Sequence, residues 1–253
     1  MGPDGRRPVC QWPPTEPDGS TGCDNPRVTS LADRRDRLDR SRLYFVAGAR
    51  PGARSLADVL APALAGGVDV FQLREKDAGD ADLLAAAAVA RELCTAAGAL
   101  FILNDRPDLV AATGADGAHV GQDDMPIARA RELAGPDVLI GRSTHSPAQV
   151  DAAHAEGADY LGVGPVHATP TKPGRAAVGL ELVAYAAGAA TRPWFAIGGI
   201  DTGTIDGVTG AGAPRAAVVR AITAASDPRA AAAALRARLT GVPLPAPAGP
   251  VRG

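Results

Sequence analysis

Between residues 43 and 219 the chain alternates short apolar segments with alanine- and leucine-rich stretches of helical character. Buried strands of a parallel sheet are apolar along their whole length, and each needs a long crossover, usually a helix, before the next strand begins. The pattern therefore predicts successive β-α units with right-handed crossovers. Eight strands are predicted, at residues 43–47, 68–74, 99–103, 117–120, 137–141, 160–163, 194–197 and 216–219.

Eight such units in 253 residues predict an α/β fold of the (β/α)8 TIM-barrel type. The alternative is an open, doubly wound sheet. Sheets of that kind that bind dinucleotides carry a G-x-G-x-x-G turn after the first strand, and the sequence near Gly48 lacks this turn. We therefore expect a closed barrel.

Three segments are expected along the chain. Residues 1–40 are predicted to be a disordered or weakly structured extension, in which 33–40 form a short helix or a flexible lead-in. Residues 41–240 are predicted to form the barrel, and the proline-rich residues 241–253 a disordered tail. The first residues contain no long apolar stretch, so neither a signal peptide nor a membrane span is predicted there.

Charge and cysteine content exclude several classes of function. Lys and Arg total 26 against 28 Asp and Glu, and no basic stripe dominates the folded part, so no nucleic-acid partner is expected. Cys10, Cys23 and Cys94 form neither a disulfide framework nor a zinc-ligand pattern. We expect a cytoplasmic protein with small-molecule ligands and no membrane partner, and the sequence leaves a homo-oligomer open.

Polar residues collect at the carboxyl ends of the predicted strands, the face that carries the active site in (β/α)8 barrels. Gln72, Arg74 and Lys76 follow strand two, and alternation along an extended strand end places them on one side. Two converging cations indicate a diphosphate or several carboxylates as the ligand. In the alternative interpretation, Glu75 or Asp69 neutralises Arg74 in an ion-pair layer.

Two carboxylates follow neighbouring strands. Asp105 comes after strand three and Asp124 after strand four, so the barrel should bring them close together. Two carboxylates without His or Cys at ligand spacing favour Mg²⁺, which takes its remaining ligands from substrate phosphates. In the alternative interpretation Asp105 caps the helix that begins at Pro107, and Asp124 is an ordinary loop acid.

The loop after strand six contains glycine, two threonines and a lysine. Thr169 and Thr171 offer hydrogen-bond donors and Lys172 a mobile positive charge, so the loop indicates an anion site; a proline-rich surface turn is the alternative. The loops after strands seven and eight, at Gly199 and at Val219-Arg220, predict a second anion site that suits a monophosphate.

The rim also contains Ser143, at the end of strand five, and histidines on two neighbouring segments. His119 lies within an apolar strand and is interpreted as a packing residue. His145 follows Ser143-Thr144 and either contacts a ligand or caps the next helix.

Seven short motifs follow one another along the predicted barrel. They are Gln72-Leu-Arg-Glu-Lys76, Leu103-Asn-Asp-Arg106, His119-Val-Gly-Gln-Asp-Asp124, Gly141-Arg-Ser-Thr-His145, Gly162-Val-Gly-Pro-Val-His-Ala-Thr-Pro-Thr-Lys172, Ala196-Ile-Gly-Gly-Ile200 and Ala217-Val-Val-Arg-Ala-Ile222. In this order they resemble the thiamine-phosphate synthase family over residues 43–239. The resemblance implies a (β/α)8 enzyme that joins a hydroxymethylpyrimidine diphosphate to a thiazole monophosphate and releases pyrophosphate, with Mg²⁺ as cofactor.

The resemblance also implies roles for individual residues. The positions that match contacts to the pyrimidine diphosphate are Gln72, Arg74, Lys76, Asn104, Ser143 and Lys172, of which Arg74, Lys76, Ser143 and Lys172 are the expected catalytic residues. Those that match contacts to the thiazole phosphate are Thr169, Thr171, Gly199, Val219 and Arg220, and those that match the Mg²⁺ ligands are Asp105 and Asp124. Arg220 departs from relatives that carry serine there, which leaves the role of its side chain open. Two alternatives are a thiazole tautomerase-like enzyme and a non-catalytic barrel that senses phosphate compounds.

Overall fold

A closed barrel of parallel strands is the core of the computed structural model, which describes residues 30–76, 78–169 and 176–245. The strands are β1 (Leu43–Ala47), β2 (Val70–Leu73), β3 (Leu100–Asn104), β4 (Gly117–Val120), β5 (Leu139–Thr144), β6 (Tyr160–Val163), β7 (Trp194–Ile197) and β8 (Ala216–Val218). Each strand pairs with the next, and β8 pairs with β1. This closure confirms the predicted (β/α)8 barrel and excludes the open sheet.

Helices surround the barrel and carry the chain from each strand to the next. They are α1 (Leu31–Arg40), α2 (Leu56–Ala65), α3 (Asp80–Ala97), α4 (Val110–Thr113), α5 (Ile127–Ala134), α6 (Pro147–Ala155), α7 (Gly179–Ala189), α8 (Ile205–Gly210), α9 (Arg220–Thr223) and α10 (Pro228–Thr240). The local sequence explains where several of these helices begin and end. Ser55 and Ser146 accept N–H bonds at the starts of α2 and α6, and Gly98 ends α3 in the left-handed conformation.

The hydrophobic core has two layers, because nearly every strand residue is buried. Outward-facing strand residues such as Phe71 and Phe101 pack under the helices. Inward-facing residues, among them Leu100, Ile102 and Phe195, fill the barrel itself. Strands buried on both faces read as continuous apolar runs, which is why the sequence revealed them. Within the part of the chain that the structure covers, no helix has the length and apolar character needed to span a bilayer.

Of the two alternatives stated for residues 33–40, the structure has the short helix, which begins at Leu31 and is packed rather than weakly structured. Ser30 and Asp33 form a capping box at the start of α1, and Leu38 joins the inner layer of the core. The charged helix is ordered because its arginines meet buried carboxylates: Arg34 Nε lies 3.1 Å from Asp116 Oδ1. Residues 1–29 and 246–253 lie outside the described residues, so the disorder expected of both tails stays a prediction.

Three aspartates, of which Asp116 and Asp159 are buried and Asp69 is partly buried, support the opposite, amino-terminal end of the barrel. Asp69, Asp116 and Asp159 directly precede β2, β4 and β6, and each accepts a backbone N–H from the preceding strand at 2.8–3.0 Å. The arginines that pair with them are, in the same order, Arg236, Arg34 and Arg131. In (β/α)8 barrels this end serves stability, which leaves the carboxyl ends of the strands for a site.

Candidate active site

A cavity of about 350 Å³ opens at the carboxyl ends of the strands. Side chains from β2, β3 and β5 form one wall, and the loops after β6, β7 and β8 form the other. The predicted site residues that line the cavity are Gln72, Arg74, Asn104, Ser143, Thr169, Gly199, Val219 and Arg220. The closed barrel therefore gathers into one chamber residues that are widely separated in the sequence.

The end of β2 directs Gln72 and Arg74 towards this cavity. Gln72 is buried and its amide nitrogen donates to the Tyr44 hydroxyl at 2.9 Å. The backbone N–H of Arg74 donates to the Ala47 carbonyl at 2.9 Å, which continues the strand pairing by one residue. Lys76 lies beyond this pairing, is exposed, and does not line the described cavity.

The two carboxylates proposed to neutralise Arg74 have other partners. Glu75 accepts the backbone N–H of Ala49, and Asp69 bonds Leu43 and Arg236 at the far end of the barrel. Arg74 instead acts on Asp105: burial raises the pKa of Asp105, and the positive charge of Arg74 offsets a small part of that rise. The charge of Arg74 is therefore presented to the cavity rather than to a structural ion-pair layer.

Asp105 and Asp124 lie side by side, as the strand order predicts. Their carboxyl groups hydrogen-bond each other, and the pKa of Asp105 is raised to about 6, first by burial and then by Asp124. The Asn104 amide donates to Asp105 Oδ2 at 2.6 Å. The short helical turn at Pro107–Leu109 begins after Arg106 without a side-chain cap, so Asp105 is not a helix cap.

This carboxylate pair fits a hard divalent cation. Both groups offer oxygen ligands, and their close approach favours a positive charge between them. Asp124 is held by the Gly121 N–H, which donates to its Oδ2 at 2.7 Å. No group of three or more Asp, Glu, His or Cys suited to a metal occurs in the described part of the chain. Mg²⁺, which binds through one or two carboxylates and takes substrate phosphates as further ligands, matches such a pair.

The loop after β6 runs beside the end of β7. The backbone N–H groups of Val166 and His167 donate to the carbonyls of Ile197 and Gly198 at 2.9 and 3.0 Å. This pairing brings Thr169 and Gly199 to the same wall of the cavity. Gly199 has φ +63°, and a Cβ atom built there lies 2.7 Å from His167 Cβ. Only glycine fits this contact without moving the loop.

Replacing Gly199 with alanine should therefore weaken binding of a phosphate ligand at this wall. For the monophosphate ligand that the sequence predicts at this wall, we expect KM to rise roughly 10- to 100-fold, because the added methyl group displaces the loop that carries Thr169. The matched control is Gly188→Ala in α7, where an added Cβ meets nothing within 4 Å. Steady-state kinetics would contradict this expectation if both variants had the wild-type KM.

Several residues of the site were missed or undervalued in the sequence. His119, interpreted as a packing residue, is hydrogen-bonded to the predicted site residue Ser143, and Tyr44 and Tyr160, which were not predicted, line the same cavity. Arg142 is buried behind the wall, where its guanidinium donates at 2.7 Å to the carbonyls of Gly121 and Met125. It thereby holds the loop that carries Asp124. A charged residue inside an apolar strand was the signal that could have identified it.

Two predicted residues, Thr171 and Lys172, lie outside the described residues, so their roles stay predictions. His145 supports the loop after β6, since its Nδ1 bonds the Gly164 carbonyl. Ser146, and not His145, caps α6.

Known proteins resemble this chain in sequence and in structure. A family model described as thiamine monophosphate synthase matches residues 43–222. The thiamine-phosphate synthase of Gloeobacter violaceus is 54% identical over 196 residues, which is 78% of this chain and 57% of the relative. That of Saccharopolyspora erythraea is 53% identical over 213 residues, covering 81% of this chain and 96% of the relative.

A solved structure gives the same result. The thiamine phosphate pyrophosphorylase from Pyrococcus furiosus has 33% sequence identity and a TM-score of 0.74, covering 82% of this chain and 98% of that chain. The family resemblance inferred from the seven motifs is thereby confirmed. The chain belongs to the thiamine monophosphate synthase family.

Proposed function

We propose that this barrel is a thiamine-phosphate synthase, which condenses 4-amino-2-methyl-5-(diphosphooxymethyl)pyrimidine with 4-methyl-5-(2-phosphooxyethyl)thiazole. The products are thiamine phosphate and pyrophosphate. The observation that carries the proposal is the division of one cavity into two unlike walls. On one side, Arg74 lines the cavity, and the Asp105–Asp124 pair lies beside Arg74, just outside the lining residues; these groups suit a diphosphate and its metal. On the opposite side, backbone amides and the Thr169 hydroxyl suit a monophosphate.

The pyrimidine diphosphate binds at the β2–β5 wall. Gln72, Asn104 and Ser143 hold the ring, since all three are buried polar groups on the cavity surface. Arg74, Lys76 and Lys172 neutralise the diphosphate. Thr169, Thr171, Gly199 and the Val219-Arg220 turn are assigned to the thiazole phosphate.

Asp105 and Asp124 would hold Mg²⁺, which supplies Lewis-acid neutralisation of the diphosphate charge. The raised pKa of Asp105 supports this assignment. Two neighbouring carboxylates repel each other when both are ionised, and a bound cation between them would relieve that repulsion. Arg142 and the Gly121 N–H keep Asp124 in place for that role.

Catalysis follows from charge stabilisation and requires no nucleophilic side chain. The bond between the pyrimidine methylene carbon and the diphosphate oxygen breaks, and its electron pair leaves with pyrophosphate. Arg74, Lys76 and Lys172 stabilise that departing charge, while the electron-rich aminopyrimidine stabilises the carbocation. The thiazole nitrogen then donates its lone pair to the carbon, and the monophosphate site sets its approach.

The test is pyrophosphate release on mixing the protein with both substrates and Mg²⁺. We expect stoichiometric pyrophosphate and thiamine phosphate, and neither product when one substrate is omitted. A tautomerase-like enzyme would convert a thiazole substrate without releasing pyrophosphate, and a phosphate sensor would bind without turnover. Either result would overturn the proposal. The cytoplasmic location and a homo-oligomer stay predictions.

A further inference from the structure

A continuous chain of hydrogen bonds crosses the cavity floor from β2 to β5. Gln72 Nε2 lies 2.9 Å from the Tyr44 hydroxyl, which lies 3.0 Å from the Tyr160 hydroxyl. The Tyr160 oxygen is 3.2 Å from His119 Nδ1, and His119 Nε2 is 2.9 Å from Ser143 Oγ. The chain thus joins two residues that are assigned to the pyrimidine, through three that are not.

All members of this chain are buried, so each bond is costly to break. Tyr44 and Tyr160 are 2% and 1% exposed, and both pack edge-on against Phe195. Gly141 leaves the room that the Tyr160 ring occupies, since a Cβ there would lie 2.5 Å from the hydroxyl oxygen. Burial raises the pKa of both tyrosines, so each keeps a proton to donate. Buried polar groups of this kind hold one arrangement.

The donors and acceptors define the direction in which each hydrogen bond between Gln72 and Ser143 is donated. The Gln72 NH₂ group can only donate, so the Tyr44 oxygen accepts from it. We orient the buried Tyr44 proton towards the Tyr160 oxygen, the acceptor that lies 3.0 Å away. The Tyr160 proton then points to His119 Nδ1. A histidine that accepts at Nδ1 carries its proton on Nε2, which donates to Ser143 Oγ. Ser143 therefore keeps its own proton for the cavity.

We propose that Tyr160 is a positioning residue that holds His119 in its Nε2–H tautomer and thereby makes Ser143 a hydrogen-bond donor towards the substrate. The inference rests on the proposed function for the identity of that substrate. A 4-aminopyrimidine edge presents an amino donor beside a ring-nitrogen acceptor. The Gln72 carbonyl oxygen and the Ser143 hydroxyl are the complementary acceptor and donor. Tyr160 thus determines that Ser143 acts as a donor, and hence which arrangement of donors and acceptors on a ring substrate the site can bind.

The first test needs no turnover. ¹⁵N NMR of imidazole-labelled protein at about pH 8.5, where histidine is ordinarily neutral, reports which ring nitrogen carries the proton. His119 is identified among the four histidines by its absence from a His119→Asn spectrum. We expect the proton on Nε2 in the wild-type protein, and a shifted Nδ1 resonance in Tyr160→Phe. A wild-type proton on Nδ1 would overturn the proposal, whether or not the protein is a synthase.

The second test is kinetic. Tyr160→Phe should lower kcat/KM for the pyrimidine diphosphate about 3- to 10-fold, the worth of one directed hydrogen bond, with KM for the thiazole phosphate unchanged. In a Ser143→Ala background the same substitution should have no further effect, because Tyr160 acts through Ser143. Additive losses would contradict the proposal and indicate a merely structural role.

The chain offers a matched control. Tyr185, the third tyrosine, is on α7, donates to Asp151 at 2.8 Å and is not one of the residues that line the cavity. Tyr185→Phe removes the same hydroxyl and should leave both the His119 spectrum and the kinetics at wild-type values. If Tyr185→Phe caused the same losses as Tyr160→Phe, the effect would not be specific to the chain of hydrogen bonds, and the proposal would be wrong.

Discussion

Replacing Asp124 with asparagine should lower kcat roughly 100-fold or more, because neutralisation of a leaving diphosphate by a metal is worth several kcal/mol. Asparagine keeps an oxygen that accepts the Gly121 N–H, so the loop should stay in place. What is lost is one of the two negative charges assigned to Mg²⁺. Mn²⁺ binding, followed by electron paramagnetic resonance, should weaken in parallel.

The neighbouring Asp123→Asn is the control for this prediction. It removes the same charge from the same loop at an exposed residue that lies outside the carboxylate pair. We expect its kcat to stay within about 3-fold of wild type, as is usual for surface substitutions. Equal losses in the two variants would mean that only the net charge of the loop matters, and the metal assignment would fall.

Asp116→Asn should lower the free energy of unfolding by about 3–5 kcal/mol, as removal of one partner of a buried ion pair does. The Asp116 side chain is 2% exposed and faces Arg34 at 3.1 Å and Arg91 at 3.6 Å. Asparagine still accepts the Phe101 N–H through its amide oxygen, yet it removes the negative charge that offsets two arginines. Urea denaturation monitored by circular dichroism measures the change.

An exposed ion pair on α1, the helix that carries Arg34, provides the control. Asp36 and Arg40 are 2.6 Å apart, and their side chains are 64% and 65% exposed. Asp36→Asn should cost no more than about 0.5 kcal/mol, because solvent screens such pairs. The prediction for Asp116 is wrong if the two variants have the same urea midpoint at an unchanged slope.

Much of the fold was readable in advance because the strands are buried on both faces. Residues 43–47, 117–120, 160–163 and 194–197 were predicted with the bounds that the structure has. Where charged or small residues continue a strand, the prediction was less accurate: β5 extends to Thr144, three residues past its predicted end, through Arg142. A run of apolar residues predicts a buried strand, but it cannot predict that the strand continues through a charged residue such as Arg142, whose side chain is buried by contacts with the loop after β4.

The candidate site was readable for a related reason. Polar residues that follow apolar strands belong to one rim once the strands are parallel, so Gln72, Arg74, Asp105 and Asp124 could be grouped without coordinates. Their contacts could not. His119 was interpreted as a packing residue because it lies within an apolar strand. Its hydrogen-bond partners, Tyr160 and Ser143, are 41 and 24 positions away in the sequence, beyond the reach of a local pattern.

The sequence by itself determined the barrel class, the family and the rim on which the site lies, because these follow from local patterns repeated along the chain. Only the tertiary structure decided that α1 packs against the barrel, that Arg142 holds the Asp124 loop, and that a directed hydrogen-bond chain ends at Ser143. Each of these depends on pairing a buried charge or hydroxyl with a distant partner. A polar group that is buried without a partner destabilises the fold, so each such group must be paired. Which partner is within reach depends on the packed three-dimensional surroundings.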